Sequence, residues 1–253
     1  MTIQVKQQLV PENKHSLKCP NVMNAEFITF HNTYNDASAQ SEIDYMIDNN
    51  NATSFHFAVD DKEVIQGILV NRNAWHCGDG NGTGNRKSIG VEVCYSKSGG
   101  DRYKKAEALA IRFIAQILYE RNWGVDRVKP HKYWSGKNCP HRILDEGRWN
   151  SVLNEIGREL KKLQDSKIKA ATEDVKTIIA DGIKEGDDGK MKLELTASQW
   201  DQLASIFNDC AQKGLLSSQE WTVKAKEKSL TVSDAVFLAL ILDHRRFRDF
   251  CNK

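Results

Sequence analysis

Apolar positions recur along the chain in two rhythms. Short runs rich in Val, Ile and Phe, at 27–30 (FITF), 54–60 (SFHFAVD), 63–68 (EVIQGI) and 88–95 (SIGVEVCY), predict β-strands. Later the spacing lengthens to three and four. Ala106, Leu109, Ala110, Phe113, Ile114, Ile117 and Leu118 share one helical face, and Trp149, Val152, Leu153, Ile156, Leu160 and Leu163 share another. A shorter helix is expected near residues 41–50. Strands interleaved with amphipathic helices predict an α/β fold, a sheet flanked by helices.

The pattern changes near residue 165. Residues 166–190 (SKIKAATEDVKTIIADGIKEGDDGK) are charged and lack aromatics, a linker composition with room for one weak helix. Three capping-type starts follow: Thr196 with Gln199, Ser217 with Glu220, and Thr231 with Asp234. Residues 191–253 therefore read as a small all-α C-terminal domain. Its expected core is Trp200, Leu203, Phe207, Leu215, Leu216, Trp221, Val236, Leu240 and Phe247. Trp200 and Trp221 could instead be sugar-stacking platforms, but helical spacing favours the core. A bundle of roughly 60 residues is marginal alone, so contact with residues 1–165 or a second copy is expected to support it.

Composition narrows the function. The chain has 253 residues, with 36 basic against 34 acidic side chains and a net charge of +2, which gives no electrostatic case for a nucleic-acid partner. The N-terminal stretch MTIQVKQQLVPENKHSLK has no apolar h-region, and no run approaches the roughly 20 apolar residues of a membrane span. A soluble, cytoplasmically made protein without membrane insertion is expected. The cysteines at 19, 77, 94, 139, 210 and 251 form no framework spacing and read as reduced thiols.

Chemistry-bearing residues gather in a few places. His131 and Cys139 lie in KPHKYWSGKNCPHR, and His31 ends the strand-like FITFHNTY; two imidazoles and a thiolate suit zinc and leave a fourth tetrahedral position open. His141 is an alternative nitrogen ligand, disfavoured because it stands only two residues past Cys139. Strand alternation groups Phe27, Thr29 and His31 on one face and Ile28, Phe30 and Asn32 on the other. Glu92, flanked by valines, is the best general-base candidate, because a partly desolvated carboxyl has a raised pKa. Lys137 could stabilise an oxyanion near the metal. His76, in AWHCGDGNG, is expected on the substrate wall, and His56 less so. The glycine-rich GDGNGTGN is no phosphate loop, since no GK[ST] follows and no helix is expected to open after it.

Taken in order, ITFHNTY, SFHFAVDD, NAWHCGDGNG, SIGVEVCYS and KPHKYWSGKNCPHR resemble the zinc-dependent type 2 N-acetylmuramoyl-L-alanine amidases, which include phage endolysins and are related to peptidoglycan recognition proteins. The likeness spans nearly all of residues 1–163, and its wording is similar to endolysins of phages infecting Gram-positive bacilli. It implies a mixed central sheet flanked by helices and hydrolysis of the amide joining N-acetylmuramic acid to L-alanine of the stem peptide. It also implies zinc (Zn2+) ligands His31, His131 and Cys139, a catalytic glutamate at Glu92 and a loop lysine at Lys137; apart from the resemblance, Asn32 and His76 are expected as substrate contacts. Where some relatives carry a Tyr before the second-strand histidine this chain has Phe55, which has no hydroxyl, so the burden falls on Glu92. By position, the C-terminal domain is expected to bind the wall, with a secondary wall polymer as a candidate ligand. The alternatives are a non-catalytic peptidoglycan-binding protein and a wall endopeptidase on the same scaffold.

Overall fold

The computed structural model describes residues 2–185, 191–212, 214, 216 and 218–238. It divides into two compact units between Leu160 and Lys161.

The first unit is built on a six-stranded mixed sheet. Its strands are β1 (Val5–Gln7), β2 (Phe27–Asn32), β3 (Phe57–Val59), β4 (Val64–Gln66), β5 (Ser88–Val93) and β6 (Val128–Pro130), in spatial order β1-β4-β3-β5-β2-β6. β3 and β4 are antiparallel and every other pairing is parallel. The four expected strands are all present, three within shorter limits and β2 extended by two residues to Asn32. β1 and β6 are too short to show an alternation in sequence, and both lie at edges, where the Pro130 that ends β6 loses no ladder hydrogen bond.

Side-chain alternation gives the two faces different fates. Helix α4 (Gly100–Glu120) buries Ala106, Ala110, Phe113, Ile114, Ile117 and Leu118 and packs on β3 and β5. The Phe57 and Phe113 rings meet edge-on at 4.9 Å, and Phe30 meets Trp149 at 6.3 Å. Helix α1 (His15–Lys18) and α2 (Ala39–Asp48) are neighbours: Lys14 and Lys18 reach the carboxyl end of α2, with Lys14 Nζ donating to the Ile47 carbonyl at 2.6 Å. The opposite face of β2 carries Thr29 and His31 and meets irregular chain. Trp134 Nε1 donates to Thr29 Oγ1 at 2.8 Å, and Thr29 Oγ1 pairs with Ser88 Oγ at 2.6 Å.

The glycine-rich segment does contain a helix, α3 (Thr83–Lys87), contrary to expectation. The Asp79 carboxylate opens it by accepting from the Gly84 and Asn85 amides at 2.7 and 3.1 Å. Aspartate here takes the position an anion would occupy. Short helices α5 (Lys132–Ser135) and α6 (His141–Asp145) follow β6.

The linker expectation changes most. Helix α7 (Trp149–Gly182) runs through the charged stretch, and Val175, Ile178 and Ile179 are buried in the core of the second unit. Charged residues at helical spacing suit an exposed face, so composition alone mistook an amphipathic helix for a tether. That unit is also not all-α: β7 (Ile183–Glu185) and β8 (Met191–Leu193) form an antiparallel pair. Helices α8 (Ala197–Gln212) and α9 (Glu220–Lys226) and the helical residues 232–238 complete it. Two capping boxes form as expected: Thr196 Oγ1 accepts from the Gln199 amide at 3.3 Å, and Thr231 Oγ1 from the Asp234 amide at 3.1 Å. At α9 the Ser218 hydroxyl accepts from the Glu220 amide; Ser217 lies outside the described residues. Trp200, Leu203, Phe207 and Leu216 are core, Trp221 packs beside them, and Val236 is exposed rather than buried. Leu215, Leu240 and Phe247 lie outside the described residues.

Ile114 is fully buried between α4 and the sheet. Ile114→Ala is expected to lower unfolding free energy by roughly 2–5 kcal/mol, read as a lower urea midpoint with an unchanged slope.

Candidate metal centre

Three neighbouring parallel strands, β5, β2 and β6, end at one place. His31 is the Cα partner of Glu92 across the β2–β5 ladder, and His131 directly follows β6. Ligands of open α/β sheets gather outside the carboxyl ends of strands, and this is such an end. Cys139 arrives by a tight excursion. After α5 the chain turns at Gly136, whose φ of 78° is the left-handed region that favours glycine, and Lys132 N–H donates to the Cys139 carbonyl at 2.9 Å.

The geometry brings the expected ligand atoms together. His31 Nδ1 lies 3.1 Å from His131 Nδ1 and 3.7 Å from Cys139 Sγ. Zinc bonds of about 2.0–2.1 Å to nitrogen and about 2.3 Å to sulfur give tetrahedral edges of roughly 3.3 Å and 3.6 Å. The donor set therefore fits zinc in both spacing and chemistry. The Asn32 amide also donates to Cys139 Sγ at 3.4 Å, a bond that favours thiolate.

A second group, His31, His76 and Cys77, also has ligand atoms within 4.8 Å of one another. It is a weaker candidate, because Cys77 is fully buried and does not line the cleft. The His31, His131 and Cys139 set floors a cleft of about 700 Å³ whose walls include Glu92, Lys137, Tyr34, Tyr45 and Phe55.

Glu92 approaches His31 Nδ1 to 3.8 Å, and no described group hydrogen-bonds its buried Oε2. Burial, with repulsion from Glu42 and against the pull of Lys137, pushes its carboxyl up to about 8. Burial likewise pushes the Cys139 thiol up to about 12, aided by Glu92 and opposed by the Asn32 amide and Lys137. His31 and His76 sit well below 6.5, chiefly through burial, and burial with Lys137 brings His131 to about 4. Imidazoles held neutral are imidazoles available to a metal.

The other expected residues have different surroundings. Lys137 is exposed on the cleft wall. Asn32 touches the cleft, but its side chain is engaged by protein: Oδ1 accepts from the Arg142 amide at 3.2 Å and Nδ2 donates to Tyr103 Oη at 3.3 Å. His76 also borders the cleft with both ring nitrogens in use, Nδ1 against His31 Nε2 at 2.9 Å and Nε2 against the Ser88 carbonyl at 3.2 Å. Both ring nitrogens of His76 are thus engaged by protein, while Asn32 Oδ1 accepts one bond and keeps a second lone pair. His141 borders the same cleft with its Nε2 engaged by the Ser96 carbonyl at 3.2 Å and its ring against Tyr34. His56 is fully buried, accepting from the Gly90 amide at 2.9 Å and donating to the Arg72 carbonyl at 2.9 Å.

Sequence reasoning missed Gly90. A Cβ there would come within 2.8–2.9 Å of the His76 ring, so the ring rests on strand backbone that only glycine leaves bare. A glycine inside a strand is the signal that could have found it.

Comparison with known proteins agrees with this site. The family model described as N-acetylmuramoyl-L-alanine amidase matches residues 21–142. The N-acetylmuramoyl-L-alanine amidase CwlA of Bacillus sp is 50% identical over 178 residues, covering 70% of this chain and 71% of that protein. The chain belongs to the N-acetylmuramoyl-L-alanine amidase family. Within that family, CwlA of Bacillus subtilis (strain 168) is 68% identical over 164 residues, or 64% of this chain and 60% of the relative. The chain spans about half the length of XlyB from the same organism, 51%. The solved structure of PlyL superposes with a TM-score of 0.60 at 55% identity, covering 61% of this chain and 97% of PlyL. The mixed sheet with flanking helices is thus the amidase fold, and no described helix is long and apolar enough to cross a membrane.

Two outcomes follow from the packing. Gly90→Ala is expected to cost about 1–3 kcal/mol of stability, measured by chemical denaturation, because the His76 ring has no space to yield. His56, at about 4 when folded and 6.5 in the unfolded chain, binds its proton more readily unfolded. Its contribution is therefore complete above pH 6.5 and is lost as pH falls toward 4. The melting temperature of metal-free protein should drop across that window, and His56→Gln, which keeps a donor for the Arg72 carbonyl, should flatten the drop.

Proposed function

We propose that this chain is a zinc-dependent peptidoglycan hydrolase that cleaves the amide between N-acetylmuramic acid and L-alanine, acting as a phage endolysin in host lysis. The observation that carries the reading is the spacing of His31 Nδ1 from His131 Nδ1 and from Cys139 Sγ, which matches two edges of a zinc tetrahedron on the floor of a cleft that also holds Glu92.

His31, His131 and Cys139 would hold a zinc ion, which would supply Lewis acidity toward the scissile carbonyl and the attacking water. The remaining work falls to the protein. Glu92 in its ionised form, with an Oε2 that has no described hydrogen-bond partner, takes a proton from the attacking water as the water oxygen bonds to the carbonyl carbon. The same carboxyl returns that proton to the amide nitrogen as the C–N bond breaks, releasing an N-terminal alanine. Lys137, on the wall of the same cleft, offsets the negative charge that develops on the carbonyl oxygen. Phe55 lines the cleft without a hydroxyl, so it contributes shape and no proton.

The division of the chain supports a matching division of labour: residues 1–165 do the chemistry and the helical C-terminal unit holds the enzyme to the wall, with a secondary wall polymer as its ligand. The enzyme gathers in the host cytoplasm until it is released to the wall.

Incubation with purified cell walls should generate new N-terminal alanine without new reducing sugar, and a chelator should abolish it. Reducing ends would point to a glycosidase, and chelator resistance would remove the metal from the mechanism. Glu92→Gln is expected to keep zinc while losing turnover by roughly 10²–10⁴-fold; full activity would eliminate it as the base. Residues 1–165 alone should cleave a soluble muramyl peptide at the parent rate yet sediment less with intact walls.

A further inference from the structure

His31 presents two ring nitrogens to two different neighbourhoods. Nδ1 faces His131 and Cys139, whereas Nε2 meets His76 Nδ1 at 2.9 Å. Which nitrogen carries the proton decides whether a lone pair is available to the ion.

Hydrogen-bond directionality settles the tautomer. The Ser88 carbonyl only accepts, so His76 Nε2, 3.2 Å away, must donate. A neutral His76 then has its lone pair on Nδ1, and His31 Nε2 must donate to it. The reverse order would set two lone pairs against each other across the His76–Ser88 gap. Cys77 Sγ, 3.1 Å from the same Nδ1, brings a second donor and no acceptor of comparable strength, so it leaves this order intact.

The position of His76 is itself built. Its backbone amide and that of Cys77 both donate to Asn85 Oδ1, at 2.8 and 2.7 Å. Asn85 is anchored in turn by its own amide on Asp79 and its Nδ2 on the Gly80 carbonyl. Below the ring lies Gly90, whose absent Cβ makes the space. Backbone, ring face and both ring nitrogens are all specified.

We infer that His76 is a positioning residue for the metal centre: by accepting from His31 Nε2–H it fixes the tautomer and ring plane that aim the His31 Nδ1 lone pair toward His131 and Cys139. This rests on the zinc-ligand reading, and it gives His76 a role other than substrate contact. Partners that orient metal-bound histidines typically account for about 10–100-fold in metal affinity or activity.

Zinc affinity of the full chain, measured by competition with a chromophoric chelator, tests it. His76→Asn places Oδ1 where the accepting nitrogen stands, whereas His76→Leu keeps bulk without an acceptor. The leucine variant is expected to bind zinc about 10–100-fold more weakly and to shift the visible bands of the cobalt-substituted protein, while the asparagine variant stays near the parent. A leucine variant as tight as the parent, or an asparagine variant as weak as leucine, would overturn the role of the hydrogen bond. A parent that binds no zinc, or a His31→Ala variant that binds as tightly as the parent, would overturn the ligand reading and the positioning role with it.

Discussion

The parallel register between β2 and β5 is the constraint on which the rest of the site depends. It pairs Phe27 with Ser88 and, four residues on, His31 with Glu92. Because side chains alternate, a slip of one residue would send Glu92 to the helical face and set a valine beside His31. The same register places Thr29 opposite Gly90, so the bare backbone that receives the His76 ring lies one pleat behind the reacting end. The placement of His31, of Glu92 and of the backbone seat for the His76 ring follows from one ladder.

That ladder separates two kinds of interior. Toward α4 and α7 the sheet is an ordinary apolar core, with Phe30 on Trp149 and Phe57 on Phe113. Toward the cleft it buries histidines, a thiol and a carboxyl. Each of these is held away from its charged form mainly by burial, and they gather at the floor and wall of one cleft. Such a cluster is costly in an apolar setting and becomes favourable once a cation is shared among the donors. The stable face supplies the rigidity with which the polar face is held.

Much of the fold could be read from hydrophobic rhythm. The runs around Phe30, Phe57, Ile65 and Val91 and the amphipathic stripe from Ala106 to Leu118 are long enough to declare their period. β6, with three residues and a proline, is not. The charged stretch after residue 165 misled because linker composition and the exposed side of a helix look alike until Val175, Ile178 and Ile179 are seen to share a core. Val236 misled for the converse reason: an apolar residue near a helix start was assigned to the core before the helix had a direction.

The site divides along the same line. Residue types and their local spacing were enough to nominate His31, His131 and Cys139 as zinc-compatible donors and Glu92 as a carboxyl in a strand, because softness, charge and strand alternation are properties of short segments. Local segments say nothing about which atoms of His31 face which neighbours. Tertiary structure alone set Nδ1 toward His131 and Cys139 and Nε2 toward His76, and it gave the side chains of His76 and Asn32 hydrogen-bond partners within the protein. Those assignments depend on strands, loops and one glycine that meet only when the chain is folded, since the direction of a hydrogen bond belongs to the pair and not to either residue.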